Sequence, residues 1–180
     1  MILNYDEVFK KYKNDYGIYK AMERSEIYKV SPGIYSTKRN NDLTVIYSKK
    51  YPNAVVTLDS AFYYYKLTDY IPDKIYLSIG RHSRTLKDEN VVVSYVDEKI
   101  INCGKVVVKI DGEDVNIYDR ERLLVELIRK RNKIPFDYYK EIIFNYRKIA
   151  DELDMSKIED YIALFKNGVN IGNILLREVF

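Results

Sequence analysis

The sequence predicts an α+β protein, because helical and strand patterns occupy separate stretches of one 180-residue chain. Residues 1–40 have the pattern of two short helices followed by a hairpin. The middle, from Lys74 to Tyr118, is rich in β-branched and alternating apolar residues, which predicts a mostly antiparallel sheet of four or five strands. From Arg120 onward the apolar residues recur at helical spacing. We therefore expect an N-terminal arm over residues 1–40 and a mixed α/β domain over residues 41–180 that ends in helices.

The arm is predicted from local signals. Tyr5–Lys13 and Asp15–Arg24 each place apolar residues on one helical face, and Asn14 can cap the second helix. Ser31–Gly33 joins two alternating runs, which predicts a β-hairpin. Helix, helix and hairpin follow each other in the second half of a winged helix. Only Met1–Asn4 precede the first of these helices, so the arm is expected to be an abbreviated winged helix.

The segment after the arm is predicted to contain both helices and strands. A helix is expected over Leu43–Lys50 with Leu43, Ile46 and Tyr47 facing inward, and another over Ser60–Lys66. Asp111 and Gly112 form a typical hairpin turn between two β-branched runs. The predicted strands are Lys74–Ile79, Val91–Val96, Lys99–Asn102, Lys105–Ile110 and Val115–Tyr118.

The C-terminal part is predicted to be helical throughout. Asp119 should cap a helix over Arg120–Lys130, in which Glu126 and Lys130 have the spacing of an ion pair. Pro135 should open a helix that runs to Asp151. The pattern of Ser156 and Glu159 is typical of a capping box, Gly168 should end that helix, and Ile171–Glu178 should form the last one.

Composition limits the classes of protein to consider. There is no run of 18 apolar residues, which excludes a predicted transmembrane helix, and the N-terminus lacks the pattern of a signal peptide. The single cysteine, Cys103, has no partner for an internal disulfide. These features favour a cytoplasmic protein without a membrane partner.

Catalytic and metal-binding motifs are missing from the sequence. The single histidine, His82, lies in a polar segment, and no zinc-ligand spacing or phosphate-binding glycine loop occurs. Ser60 is interpreted as a helix-start residue and not as a nucleophile, because no general base lies near it in sequence. We therefore expect a protein that is not an enzyme and that has neither cofactor nor metal.

Basic residues are concentrated at the front of the chain. The first 50 residues contain ten Lys/Arg and six Asp/Glu, whereas the rest contains twenty and twenty-one. A basic front favours contact with nucleic acid phosphates. The alternative is an arm that serves only as a structural appendage of the main domain. The candidate DNA-binding residues are Lys20, Arg24, Lys29, Lys38 and Arg39.

Two further basic groups occur in the second domain. Arg81, Arg84 and Lys87 follow the first predicted strand, and either contact nucleic acid or an acidic partner or form a solvated loop tip. A second group lies at the end of a predicted helix, where cations also complement the helix dipole. Its members are Arg129, Lys130, Arg131 and Lys133.

A longer pattern, from about Ile27 to Arg131, resembles the AbiEi family of antitoxins from two-gene toxin–antitoxin systems. It runs from a hydrophobic Ala-Val-Val through a Ser-Ala helix start to a later Asp-Arg helix, with Gly33–Tyr35 similar to the wing of the family. The resemblance implies a cytoplasmic antitoxin and places the Asp-Arg segment at a helix start, as a cap and a tie to the sheet. The matching residues are Ala54, Val55, Val56, Ser60, Ala61, Leu67, Pro72, Asp119, Arg120, Glu121 and Arg122.

The resemblance implies a function and two partners. The protein is expected to counter a nucleotidyltransferase toxin, functionally more than through stable binding, and to bind operator DNA as a repressor of its own operon. The chain has no Gly-Ser dipeptide and no Asp-x-Asp motif, which the catalytic site of such a toxin would need. The alternative is a stand-alone DNA-binding transcriptional regulator with no toxin partner.

Overall fold

The computed structural model describes residues 1–180 and contains eight α-helices and eight β-strands, which confirms the α+β class. The chain divides into two compact units. Unit 1 comprises Met1–Ala54 together with Val107–Asn116, and unit 2 comprises Val55–Val106 together with Ile117–Phe180. Unit 1 thus extends beyond the expected boundary at residue 40 and includes a segment from the middle of the sequence. No helix combines the length and apolar character needed to cross a membrane.

Unit 1 is built on a three-stranded antiparallel sheet in the order β1-β3-β2. The first strand was not predicted, because three residues are too few to show a period. Two helices lie in sequence between β1 and β2, and a third follows β3. The elements are β1 (Ile2–Asn4), α1 (Tyr5–Tyr12), α2 (Asp15–Glu23), β2 (Tyr28–Ser31), β3 (Ile34–Ser36) and α3 (Leu43–Lys50).

Side-chain caps fix the helix starts of unit 1. Asn4 and Glu7 form a capping box at α1, and the side chain of Asn14 accepts a hydrogen bond from the backbone of Gly17 at α2. Lys13 ends α1 in the left-handed conformation, with φ of 70°. The two helices and the sheet enclose a small apolar core of Val8, Ile18, Ala21, Ile27 and Tyr35.

Helix α3 explains why unit 1 passes the expected boundary. It packs against β1 and β3, so it belongs with the arm and not with the second domain. The predicted inward residues are correct for Ile46 and Tyr47 but wrong for Leu43, which is exposed while Val45 is buried. Leu43 is the first residue of the helix, next to the Asp42 cap, and the buried face begins only at Val45.

Unit 2 contains most of a five-stranded sheet and five helices. The strand order in the sheet is β6-β5-β4-β8-β7. The tip of the β7–β8 hairpin is the segment that belongs to unit 1. The elements are β4 (Val55–Val56), α4 (Leu58–Tyr64), β5 (Ile75–Gly80), β6 (Val91–Val96), β7 (Lys105–Ile110), β8 (Glu113–Tyr118), α5 (Arg120–Lys130), α6 (Phe136–Lys148), α7 (Met155–Ala163) and α8 (Gly168–Glu178).

The sheet is mixed, which corrects the expectation of a mostly antiparallel one. Strand β5 pairs parallel with β6 over its whole length, and β4 pairs parallel with β8 but antiparallel with β5. Alternation of apolar residues reports which face of a strand is buried and carries no information on direction. The hairpin turn at Asp111 and Gly112 is confirmed, with φ of 51° and 84°.

The segment Lys99–Asn102, expected to be a strand, forms turns. The backbone N–H groups of Ile100 and Ile101 both donate to the carbonyl of Asp97, and Gly104 follows with φ of 78°. Ile101 is buried, and its carbonyl accepts a hydrogen bond from the Tyr118 hydroxyl at 2.9 Å. The apolar residues that suggested a strand therefore anchor a folded turn against the end of β8.

Several helix limits in unit 2 differ from expectation. Helix α4 begins at Leu58, two residues before Ser60, and α6 ends at Lys148, before a 3-10 turn over Ala150–Glu152. Tyr63 and Tyr64 are exposed at the end of α4, because consecutive helical residues point about 100° apart and cannot all face the core.

The last two helices also start differently. The cap of α7 is Asp154, whose carboxylate accepts from the backbone of Ser156 and Lys157, so the expected capping box at Ser156 and Glu159 is wrong. Asp154, two residues upstream of Ser156, accepts from the Ser156 N–H, for which Glu159 would have been the acceptor in a capping box. Gly168 begins α8 instead of ending α7, and a Cβ there would lie 2.7 Å from the carbonyl oxygen of Ile162.

Candidate functional site

Helix α2 carries the first two candidate DNA-binding residues. Lys20 and Arg24 are one turn apart, on the same side of the helix and its end. Lys20 forms an ion pair with Glu23 at 2.8 Å, whereas Arg24 is more exposed and lies 3.9 Å from Glu26. Both cations are thus solvent-accessible, and an approaching phosphate would compete with a surface carboxylate for each of them.

The hairpin carries the other three candidates of unit 1. Lys29 is exposed on β2 opposite Tyr35, and Lys38 and Arg39 are exposed just after β3. The backbone N–H of Lys38 donates to the hydroxyl of Ser36, which is buried, so the chain is held where the cations emerge. All three side chains are free to meet an anionic partner.

Two tyrosines on α2 are part of the same surface. The sequence pattern predicts that Tyr19 lies on the inward face with Ile18 and Met22, and this prediction is wrong. Tyr16 is 69% exposed and Tyr19 is 53% exposed, while Ile18 and Ala21 on the opposite side are buried. The ammonium of Lys20 lies 5.7 Å from the centre of the Tyr16 ring. Helical spacing alone does not decide this division, because Ile18 can share an inward face either with Ala21 or with Tyr19 and Met22. The exposed face of α2 therefore combines aromatic rings and cations.

The basic loop of unit 2 lies between β5 and β6. Arg81, Arg84 and Lys87 are all exposed there. Glu98 holds the start of the loop, since its carboxylate accepts from the backbone of His82 and lies where a side chain on Gly80 would stand. The three cations are thus accessible but close to an acidic group.

The cations at the end of α5 have separate environments. Arg129 donates to Glu126 at 2.6 Å and lies 3.8 Å from the centre of the Phe165 ring. Lys130 is partly buried and donates to the hydroxyl of Ser94 at 2.7 Å, and burial lowers the pKa of its ammonium. Arg131 is partly buried in the 3-10 turn that follows. The sequence cluster therefore does not form one exposed basic patch.

Asp119 has the structural role expected from the sequence. It precedes α5, and one carboxylate oxygen accepts from the backbone of Arg122 at 2.8 Å. The other oxygen accepts from the hydroxyl of Tyr161 at 2.9 Å. Burial is the main cause that raises the pKa of Tyr161, and this hydrogen bond is the second. Asp119 thus joins the start of α5 to α7.

Arg122 is the most completely buried charged residue, with no exposed surface. Its guanidinium donates twice to Glu126, at 3.0 and 3.3 Å, and also reaches the carbonyl of Cys103 at 3.2 Å. Its charge also lies 5.0 Å from the centre of the Tyr118 ring. Every direction of the guanidinium thus meets an acceptor or an aromatic face, which a buried charge needs.

Glu126 has a different partner from the one predicted. It pairs with Arg122 and Arg129, and not with Lys130. Sequence spacing allows either partner, and burial decides between them, because the fully buried guanidinium requires the nearest carboxylate.

A second polar cluster surrounds Asp59 in the first turn of α4. Burial raises the pKa of the Asp59 carboxyl above its ordinary value. Burial and the neighbouring Asp59 charge raise the pKa of Tyr76 to about 12. The buried hydroxyl of Tyr138 makes no hydrogen bond. Ser60, next in sequence, accepts from the backbone of Tyr76 at 3.0 Å, so its hydroxyl ties α4 to β5.

No group of three or more His, Cys, Asp or Glu side chains is placed to hold a metal ion. His82 is exposed, and the thiol of Cys103 lies 3.9 Å from the carbonyl of Lys99. No model of a known protein family matches the chain, and no curated protein is significantly similar to it. Any assignment of function therefore depends on the geometry above and on the resemblance noted in the sequence.

Proposed function

We propose that the protein is an antitoxin that also regulates its own operon, with unit 1 binding operator DNA and unit 2 countering a nucleotidyltransferase toxin. The observation that carries the DNA-binding part is the organisation of unit 1. Two helices precede a hairpin, and a strand before them pairs with β3 to complete a three-stranded sheet. We take this order as support for an abbreviated winged helix, in which α2 would serve as the recognition helix.

The exposed surface of α2 suits this role. Lys20 and Arg24 supply positive charge for phosphates, and Tyr16 and Tyr19 supply exposed rings for base edges or sugars. Lys29 on β2, and Lys38 and Arg39 just after β3, add three more exposed cations to unit 1. Affinity should therefore be mostly electrostatic, and modest sequence preference would come from the α2 tyrosines.

The antitoxin part is supported by the resemblance to the AbiEi family. Most of the residues that carry this resemblance lie in unit 2, where they form parts of its framework. Val55 and Val56 form the buried strand β4, Ala61 is buried in α4, and Asp119 caps α5. The pattern thus describes the framework of a fold, and no residue in it has the surroundings of a catalytic group.

Growth rescue tests the antitoxin proposal. The proposal predicts that a neighbouring gene encodes a nucleotidyltransferase. The full chain is co-expressed with that enzyme, and we expect growth to be restored. The variant Lys20→Ala/Arg24→Ala should rescue equally well, because these residues belong to unit 1. A full-length protein that fails to rescue cells from the neighbouring toxin would overturn the proposal.

Point variants are preferable to a truncated chain in this experiment. Removal of residues 1–40 would take away β1 and β3 and expose the buried side chains Val45, Ile46 and Tyr47 of α3. Loss of rescue would then report misfolding and not function.

The second candidate is a stand-alone transcriptional regulator, which the geometry of unit 1 supports equally. It predicts binding to the upstream DNA of the gene without any rescue of toxin-exposed cells. The two experiments together, rescue and DNA binding, therefore separate the candidates.

A further inference from the structure

Helix α6 in unit 2 presents an exposed stripe of alternating aromatic and basic residues. Phe136, Lys140, Phe144 and Lys148 follow one another at four-residue intervals, so they wind along one side of the helix. Phe136 is 68% exposed and Phe144 is 58% exposed, which is unusual for phenylalanine. We call these four residues the α6 stripe.

Each ring of the α6 stripe is paired with a cation. The Lys140 ammonium lies 4.6 Å from the centre of the Phe136 ring, and the Lys148 ammonium lies 4.3 Å from the centre of the Phe144 ring. The large exposed fraction of each ring leaves ring surface open to solvent. The two rings are eight residues apart, or about 12 Å along the helix axis.

A groove runs beside the stripe. Its volume is about 390 Å³, and its walls include Tyr139 and Ile143, both buried. Arg147 lies on its edge and donates to the carbonyl of Glu178. The Glu178 carboxylate accepts from the Tyr139 hydroxyl, so the acidic group in the groove is already engaged.

We propose that the α6 stripe binds single-stranded nucleic acid. Exposed rings stack on bases of any sequence, and cations between them neutralise the phosphates that link those bases. Lys140, Lys148 and Arg147 supply this charge on the same side of α6 as the rings. The surface is separate from the proposed duplex-binding surface of unit 1, so the inference does not depend on that proposal.

Charge argues against a second copy of this chain as the occupant. Two α6 helices packed face to face would bring Lys140, Arg147 and Lys148 of each copy close to the same residues of the other. Like charges in such a contact are unfavourable, whereas a polyanion gains from all three cations.

Fluorescence anisotropy with labelled 12-mers of oligo(U) and oligo(dT) tests the proposal on the full chain. Phe136→Ser and Phe144→Ser should each weaken binding roughly fivefold or more, because each removes one stacking platform. Phe144→Tyr keeps a ring and should bind as the wild type does. Tyr95→Ser removes an exposed ring on β6 and is the matched control, with no effect expected.

The salt dependence gives a second readout. The variant Lys140→Gln/Lys148→Gln should reduce the slope of log affinity against log salt by about 1.4, since each phosphate contact on a single strand contributes about 0.7. All four substituted positions are solvent-accessible, and thermal melting confirms that each variant is folded.

Three outcomes would overturn the proposal. They are oligonucleotide binding unchanged by Phe136→Ser/Phe144→Ser, an equal loss in Tyr95→Ser, and a wild-type dimer in sedimentation that this double variant dissociates. The last outcome would assign the stripe to self-association. Failure of growth rescue with normal oligonucleotide binding would instead contradict the proposed function alone.

Discussion

At the scale of single residues, the charged groups at the start of α5 act as structural ties. Asp119 could be recognised from sequence, because a cap is a local interaction between an acidic side chain and the next N–H groups. The partner of Arg122 could not, because Glu126 is selected by burial, which depends on the whole fold. The exposed tyrosines of α2 fall between these cases, since helical spacing contains the signal only once the inward face is known.

Asp119→Ala should lower the free energy of unfolding by roughly 0.5–2 kcal/mol, the usual cost of losing an N-terminal cap. The Tyr161 hydroxyl also loses its acceptor, which places the expected value toward the upper end. Urea denaturation measures the change, and Asp119→Asn, which keeps an acceptor oxygen, is the control. Unchanged stability with lost growth rescue would show that Asp119 is functional and not structural.

Glu126→Gln should be more damaging, because it leaves the fully buried Arg122 without its counter-charge. The expected loss is about 3–5 kcal/mol, the range for breaking a buried ion pair from one side. Asp114→Asn breaks the exposed pair with Lys109 and should change stability by less than about 1 kcal/mol. Equal effects of the two substitutions in denaturation experiments would contradict the role assigned to burial.

The difference in stability between Asp59→Asn and the wild type should depend on pH. Burial raises the pKa of the Asp59 carboxyl in the folded protein, so its contribution to stability is complete at low pH and declines as the pH rises through that value. The amide does not ionise, and the variant should therefore gain stability relative to the wild type at neutral pH but not at acidic pH. Melting temperatures measured across this range check the sign, and a gain confined to acidic pH would contradict it.

At the scale of elements, helix existence and the hairpins were predictable, whereas strand direction was not. The helices of unit 1 have strong local caps, and Asp111-Gly112 specifies its turn. The parallel pairing of β5 with β6 has no local signature, because alternating side chains look the same in both directions. The turn that replaces a predicted strand at Lys99–Asn102 reflects the buried position of Ile101, a tertiary effect.

Substitutions at two turn glycines can distinguish the effect of backbone strain from the effect of side-chain crowding. Gly104 and Gly112 have similar φ values, 78° and 84°, but a Cβ on Gly104 would lie 2.6 Å from the Cβ of Arg122 while one on Gly112 would meet nothing within 4 Å. Both alanine variants should be less stable than the wild type, by about 1 kcal/mol for strain alone. Gly104→Ala should lose clearly more stability than Gly112→Ala, as measured by denaturation. Equal losses would show that Arg122 moves away from the added methyl group without an energetic penalty.

At the scale of the whole molecule, the proposed activities are divided between two units. The expected boundary at residue 40 lies within the polar segment Thr37–Asp42, but α3 packs on the arm and the β7–β8 tip belongs to unit 1. Which unit a distant segment belongs to cannot be inferred from one sequence, because it depends on contacts between segments far apart in the chain. The order of elements within the arm, in contrast, was predictable apart from β1.

A mobility shift on the DNA upstream of the gene, at several salt concentrations, tests the role of unit 1 most directly. We expect the wild type to bind, with affinity that falls steeply as salt rises. Lys20→Ala/Arg24→Ala should weaken binding and reduce the slope of log affinity against log salt by about 1.8, since each duplex phosphate contact contributes about 0.9. Lys166→Ala/Arg177→Ala, an equal charge change on exposed residues of unit 2, should leave both unchanged. No binding at low salt, or equal loss in the two variants, would contradict the account.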